Sequence, residues 1–294
     1  MAENLKLLRR RIRSVANTQK ITRAMEMVSA AKLRRAQGVL RAGRPYADKL
    51  QALLGRLASA AAVEGNPLFE RRDAQKAILV VFTADRGLCG SFNTNIISAA
   101  ERWAAQRGRE GLELYCVGKK GRAYFAKRNW PIAGTMEDFG GSIDAQRSNA
   151  LSAELQARFL SRQADEVFLL YSAFVSSSTF RPTVARFLSL QPESLLERES
   201  AASGAAGATE YIFEPSAAEL FEALLPRYLQ SKIYITFAEQ FTSEHSARML
   251  AMHNATNNCE EVVANMTLRM NKARQAAITK ELLDIVGGAE AIAK

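Results

Sequence analysis

The chain is short of the residues from which most active sites are made. Its two histidines, His245 and His253, lie eight apart, without the HExxH interval and with no cysteine at a zinc-ligand spacing. Its three cysteines, Cys89, Cys116 and Cys259, are widely separated with no CxxC pair, which excludes a disulfide framework and a zinc knuckle and fits reduced thiols. GxxxxGK[ST], GxGxxG and GxSxG are all missing. No apolar run approaches the roughly 20 residues of a membrane-spanning helix. The longest, Val167 to Val175, reads as a buried strand. The start, Met1-Ala2-Glu3, has no apolar signal core. No catalytic, cofactor or metal site is expected.

Positive charge is what the chain has in excess, and it is concentrated. Residues 1–44 hold twelve Lys or Arg against Glu3 and Glu26, while the other 250 residues hold 28 basic and 28 acidic side chains. Such a segment attracts an acidic partner. Nucleic acid is the alternative reading, as a basic α/β protein with helical arms. Residues 1–44 carry no aromatic platform for bases, nor the Trp or Phe anchors of a membrane-surface helix. An acidic protein surface fits best.

Two periodicities divide the chain. Residues 1–65 are rich in Ala, Leu, Arg, Lys and Gln, with no proline before Pro45, and read as one long helix. Its apolar series runs Leu5, Leu8, Ile12, Val15, then Ile21, Met25, Val28, then Leu33, Ala36, Leu40, with phase slips expected near 18 and 31. The Gly43-Arg44-Pro45 step is expected to bend or break it, and Pro67 to end it. Residues 75–190 change to strands alternating with helices: strands at 78–82, 112–117, near 131–133, 167–175 and 183–190, helices at 94–106, 119–128 and 148–162. That order predicts a doubly wound, Rossmann-like α/β domain with an edge strand last. In its first loop, Asp85 to Ser91, glycines lack phosphate-loop spacing, so a tight turn with an Asp85–Arg86 pair is expected. Residues 191–210 read as a mobile linker.

Residues 211–288 read as a second long helix, opened by a capping box at Ser216 and Glu219, faulted at Pro226 and stopped at Gly287-Gly288. Within it His245, Met249, Met252, Thr256, Cys259, Val263, Met266, Met270, Ala273 and Ala277 alternate four and three apart, a coiled-coil seam. A seam of that length requires a partner, and the nearest is the N-terminal helix, running antiparallel. The fold class is therefore α/β: an antiparallel coiled coil of the two terminal helices with an inserted doubly wound domain. At about 1.5 Å per residue, 70 helical residues span on the order of 100 Å.

Three blocks resemble the gamma subunit of F-type ATP synthases: Asn17 to Lys32 (NTQKITRAMEMVSAAK), Thr83 to Asn93 (TADRGLCGSFN), and Asn271 to Gln275 with Ile278 to Glu281, Asp284, Gly288 and Ala289. The resemblance implies a rotor shaft without catalytic or cofactor sites, turned by the membrane ring of c subunits inside a ring of alpha and beta subunits and bound to epsilon. It implies no nucleic acid, and membrane association only through the complex, at the cytoplasmic face of a bacterial inner membrane. On this resemblance Met25 faces an acidic beta-subunit loop, with Arg34 and Arg35 beyond it. Arg274 and Gln275 hydrogen-bond a loop of the ring at one stage of rotation, and Thr279 and Glu281 are further partner contacts. The basic start is then shaft, not a cleaved leader.

Overall fold

The computed structural model describes residues 5–60, 65–73, 75–191, 195, 213–214 and 216–292. The linker expected at 191–210 lies, apart from Gln191 and Leu195, outside the described residues. In chain order the elements are α1 (Leu5–Ala60), a 3-10 turn (Pro67–Phe69), β1 (Ala77–Phe82), α2 (Phe92–Arg107), β2 (Leu112–Val117), α3 (Lys119–Ala126), β3 (Ile132–Met136), α4 (Ala145–Leu160), β4 (Glu166–Phe174), β5 (Phe180–Leu188) and α5 (Ala217–Ile292). Among the described residues no helix is long and apolar enough to cross a membrane. Two compact units divide the chain: one takes residues 1–29 and 249–294, the other 30–248.

The larger unit is built on a five-stranded sheet in the order β3-β2-β1-β4-β5. The first four strands are parallel, and β5 closes one edge antiparallel to β4. Every β1 residue is buried, as the unbroken run Ala77-Ile78-Leu79-Val80-Val81-Phe82 requires of a strand covered on both faces. Helices α2 and α3 cover one face with Phe92, Ile96, Ala100 and Phe125. On the other face α4 brings Leu151, Leu155 and Phe159, α1 brings Leu50, Leu54 and Leu57, and α5 brings Phe221, Ile233 and Phe237. This is the doubly wound arrangement. Pro182 lies on β5, an edge strand, where a missing N–H costs little. Helix α4 begins three residues before the expected Ser148, because Asp144 caps it by accepting from the amides of Gln146 and Arg147.

In the smaller unit the ends of α1 and α5 pair antiparallel. Thr256 Oγ1 lies 2.8 Å from Thr22 Oγ1, and His253 Nδ1 lies 3.0 Å from Glu26 Oε1, so one number falls as the other rises. The α5 seam holds: from Met249 to Ala277 each of its positions is buried or half-buried. The α1 seam differs from its apolar pattern. There is no phase slip. A strict three-four series continues from Val15 through Gln19, Thr22, Glu26 and Ser29 to Leu33, all at least half-buried, while Ile21 and Val28 stand 61% and 57% exposed. Polar residues keep the seam there, and the apolar ones point away from it.

The helix-breaking expectations fail in three places. Helix α1 is unbroken through Pro45, and Gly43 has a packing reason: a Cβ there would come within 2.8 Å of Ile235 Cδ1 on α5. Helix α5 runs past Gly287-Gly288 to Ile292, and through Pro226 without interruption. Of the expected capping box, Ser216 Oγ accepts from the Glu219 amide at 3.2 Å.

Candidate functional site

Ligands of doubly wound sheets bind beyond the carboxyl ends of the strands, where the strand order reverses. Here that point lies between β1 and β4, since β2 and β3 follow on one side of β1 and β4 and β5 lie on the other. The loop leaving β1 carries Gly87 and Gly90, and its Asp85 side chain ties it to the loops that follow β2 and β3. Asp85 Oδ1 accepts from the amides of Lys119 and Asp138, both at 3.2 Å, and Oδ2 from Phe139 at 2.9 Å. The expected Asp85–Arg86 pair is therefore replaced by three backbone donors, from the start of α3 and the loop after β3. Asn93 Oδ1 accepts from the Ala84 amide at 2.9 Å, and Asn93 Nδ2 donates to Cys89 Sγ at 3.2 Å. Burial pushes the Cys89 thiol up, and that of Cys116 to about 12, so neither is a nucleophile near neutral pH.

The crevice between β1 and β4 is filled by α5. The last paired residues of the two strands are Val81 and Leu170, beyond which the strands part. Gln240 enters the gap: its Nε2 donates to Phe82 O at 2.8 Å, and its Oε1 accepts from Ser172 N at 2.9 Å. Ser243 Oγ donates to Ser172 O at 2.9 Å, and Ser246 Oγ donates to Ser177 O. Gln240 is 1% exposed and Ser243 and Ser172 are fully buried, so unmade bonds here would be costly. Around them Phe237 meets Phe82 edge-on at 5.0 Å and Phe139 at 4.9 Å.

One turn on, α5 carries a buried charged group. Glu244 pairs with Arg248 at 2.9 Å, and Arg248 also donates to the carbonyls of Arg86 and Gly87. Burial raises the Glu244 carboxyl, with Arg248 opposing. His245 Nε2 meets Gly141 O at 2.6 Å, and Lys32 Nζ donates to Gly140 O at 2.8 Å. Burial lowers the His245 pKa to about 4 against the Gly141 hydrogen bond, with Arg248 and Lys32 adding to the fall, so the ring is neutral and Nε2–H is the donor. A Cβ on Gly141, itself at φ +77°, would strike the ring.

The residues singled out from sequence do not converge on this crevice. Met25 is half-buried beside the α1 seam, and Arg34 and Arg35 are exposed on α1. Arg274, Gln275, Thr279 and Glu281 are exposed on α5, where Thr279 Oγ1 donates to Gln275 O at 3.0 Å. Gln240 and Ser243 escaped notice. Their signal was a polar row at 236, 240 and 243 on a helix face flanked by Phe237 and Phe241.

The fold and its filled crevice define a class: a doubly wound α/β domain held by two long helices from the chain ends. The family profile described as ATP synthase matches residues 4–292. The chain is 44% identical over 291 residues to the ATP synthase gamma chain of Geotalea uraniireducens, covering 98% of this chain and 99% of that one. It is 42% identical over 289 residues to that of Pelotomaculum thermopropionicum, with the same coverage. In fold it resembles a chain of the Euglena gracilis mitochondrial ATP synthase solved with OSCP, F1 and c-ring, with a TM-score of 0.67, 18% identity, and 98% and 94% of the two chains covered. A chain of the Tetrahymena thermophila mitochondrial central stalk and c-ring gives a TM-score of 0.60 at 24% identity, over 80% of this chain and 99% of that one. The chain belongs to the ATP synthase gamma family.

Proposed function

We propose that this chain is the non-catalytic rotor of the complex: it turns with the c-ring, is bound by epsilon, and drives the alpha and beta subunits through ATP synthesis. It would sit at the cytoplasmic face of a bacterial inner membrane, attached through its partners. The observation that carries the reading is the outer surface of α5 near its end. Leu282, Leu283, Ile285 and Val286 are 58–68% exposed, an apolar surface that water disfavours and a greased protein sleeve would cover. Family membership supplies the sleeve, and the crevice taken up by Gln240 and Ser243 supports a chain that does not itself bind nucleotide.

Arg34 and Arg35, with Met25, are the proposed contacts for an acidic beta-subunit loop, and Arg274, Gln275, Thr279 and Glu281 those for the ring. The test is to express the chain with alpha and beta subunits and purify through it. A large ATPase whose beads rotate when attached to residues 30–248 is the expected result. A labelled-DNA shift with no ATPase recovered would favour the nucleic-acid reading instead.

A further inference from the structure

The place where a doubly wound domain ordinarily holds its ligand is occupied here by a helix of the same chain, through bonds that imitate the sheet. In a strand the N–H and C=O of one residue face the same neighbour. Ser172 N–H and C=O point to where β1 has already diverged, and α5 answers both, with Gln240 Oε1 accepting and Ser243 Oγ donating. Gln240 Nε2 then satisfies Phe82 O. One side-chain amide thus bonds two strands at once, as a peptide group of an intervening strand would.

We infer that this joint is where force passes between the α/β domain and α5 during rotation. Gln240 and Ser243 act as positioning residues that keep the domain from turning about the helix. The inference rests on the rotor reading. Apolar packing alone is non-directional and lets a smooth helix roll or slide. Hydrogen bonds from one helix to two different strands fix both its rotation and its axial position. Because all three backbone groups are buried, slipping would leave them without partners.

The test compares Gln240→Met, which matches length and removes both bonds, with Ser243→Ala and Gln240→Asn, which are milder should the first fail to fold. Hydrogen exchange on the full chain should show at least tenfold faster exchange at the Ser172 amide in Gln240→Met. In the assembled complex, with beads on the α/β domain, unloaded ATP hydrolysis should stay within twofold of the parent. Angular fluctuation of the stalled bead should at least double, and proton pumping per ATP should fall. Ser243→Ala should show the same loss in smaller measure, and Gln240→Asn should fall between it and Gln240→Met. A variant that exchanges Ser172 faster yet keeps the parent's stiffness and coupling overturns the inference, since the joint is then only packing. Beads on the parent that do not rotate would overturn the rotor reading, and this inference with it.

Discussion

The two units of the chain bury themselves by different means. In residues 30–248 two clusters of large side chains sandwich a sheet, and Phe82, Phe92, Phe125, Phe159 and Phe237 are each under 2% exposed. In the smaller unit the buried set, among the described residues, is Leu8, Thr22, Ser29, Met252 and Thr256, three of them polar. A helix pair has one contact line and no third element to close over it, so most seam residues remain half-wet. The first unit is made stable by its own core. The second presents Ile21, Met27, Val28 and Leu268 outward and depends on what surrounds it.

The sharpest way to break that contrast is truncation on each side. Phe237→Ala should cost roughly 3–5 kcal/mol, because its ring fills the space between Phe82 and Phe139. Leu8→Ala in the helix pair should cost about 2 kcal/mol, at the low end for a core leucine, since its half-exposed surroundings can close in. Urea unfolding of the purified chain measures both. Equal losses would mean that the helix pair has a core as tight as the sheet's.

Acid probes the larger unit through a buried histidine. His245 is 2% exposed, with a folded pKa of about 4 against an ordinary 6.5. Its burial therefore contributes nothing to pH dependence above 6.5. Below that the unfolded ring gains a proton that the folded ring refuses, so stability falls as pH drops from 6.5 to 4, by up to about 3 kcal/mol. Glu244, whose carboxyl is raised, acts in the opposite sense: its contribution is fullest at low pH and is lost as pH rises through its folded value. The comparison with His245→Gln, which retains a donor for Gly141 O and does not titrate, isolates the histidine. Tm curves of the two proteins should converge or cross between pH 7 and 4. Parallel curves would refute the burial argument.

What could be read from the sequence followed from how each element buries itself. Strand β1 was legible because both its faces are covered, leaving an unbroken apolar run. The α5 seam was legible because Met249, Met252, Met266 and Met270 keep their phase. Helix α1 was misread between residues 15 and 33, because Gln19, Thr22 and Ser29 hold the inward positions and Ile21 and Val28 the outward ones. Apolar periodicity finds a seam only where the seam is apolar. The Asp85 and Gln240 bonds were out of reach for another reason. Their partners lie 34 to 158 residues away, and nothing local to either side chain specifies them.

That polar stretch of seam gives a gentler test of the helix pair. The hydroxyls of Thr22 and Thr256 have two protons for three short contacts: to each other, to Gln19 O and to Met252 O. Replacing both by valine keeps the shape and removes both hydroxyls together, which is nearly neutral when no partner is stranded. Thr22→Val with Thr256→Val should change stability by less than about 1 kcal/mol in urea unfolding. A loss of several kcal/mol would show the hydroxyl pair to be a main support of the unit.

The smallest effect on the fold is expected at Arg34 and Arg35, and it separates stability from assembly. Both are exposed on α1, so reversing them to Glu should move the unfolding free energy of the isolated chain by no more than about 0.5 kcal/mol. Exposed ion pairs are worth at most about 1 kcal/mol each, which leaves little to lose in solution. In the assembled complex the balance changes. If these arginines face an acidic loop within a protein ring, water is partly excluded and like charges would meet at each passage of the rotor. ATP synthesis by reconstituted complexes carrying Arg34→Glu with Arg35→Glu should therefore fall severalfold while the isolated chain unfolds as before. The deficit should shrink as salt is raised, since screening acts over about 8 Å at physiological ionic strength and less above it. Unchanged assembly and synthesis at both low and high salt would leave the two side chains as a solvated face, and the excess charge of residues 1–44 would need another partner.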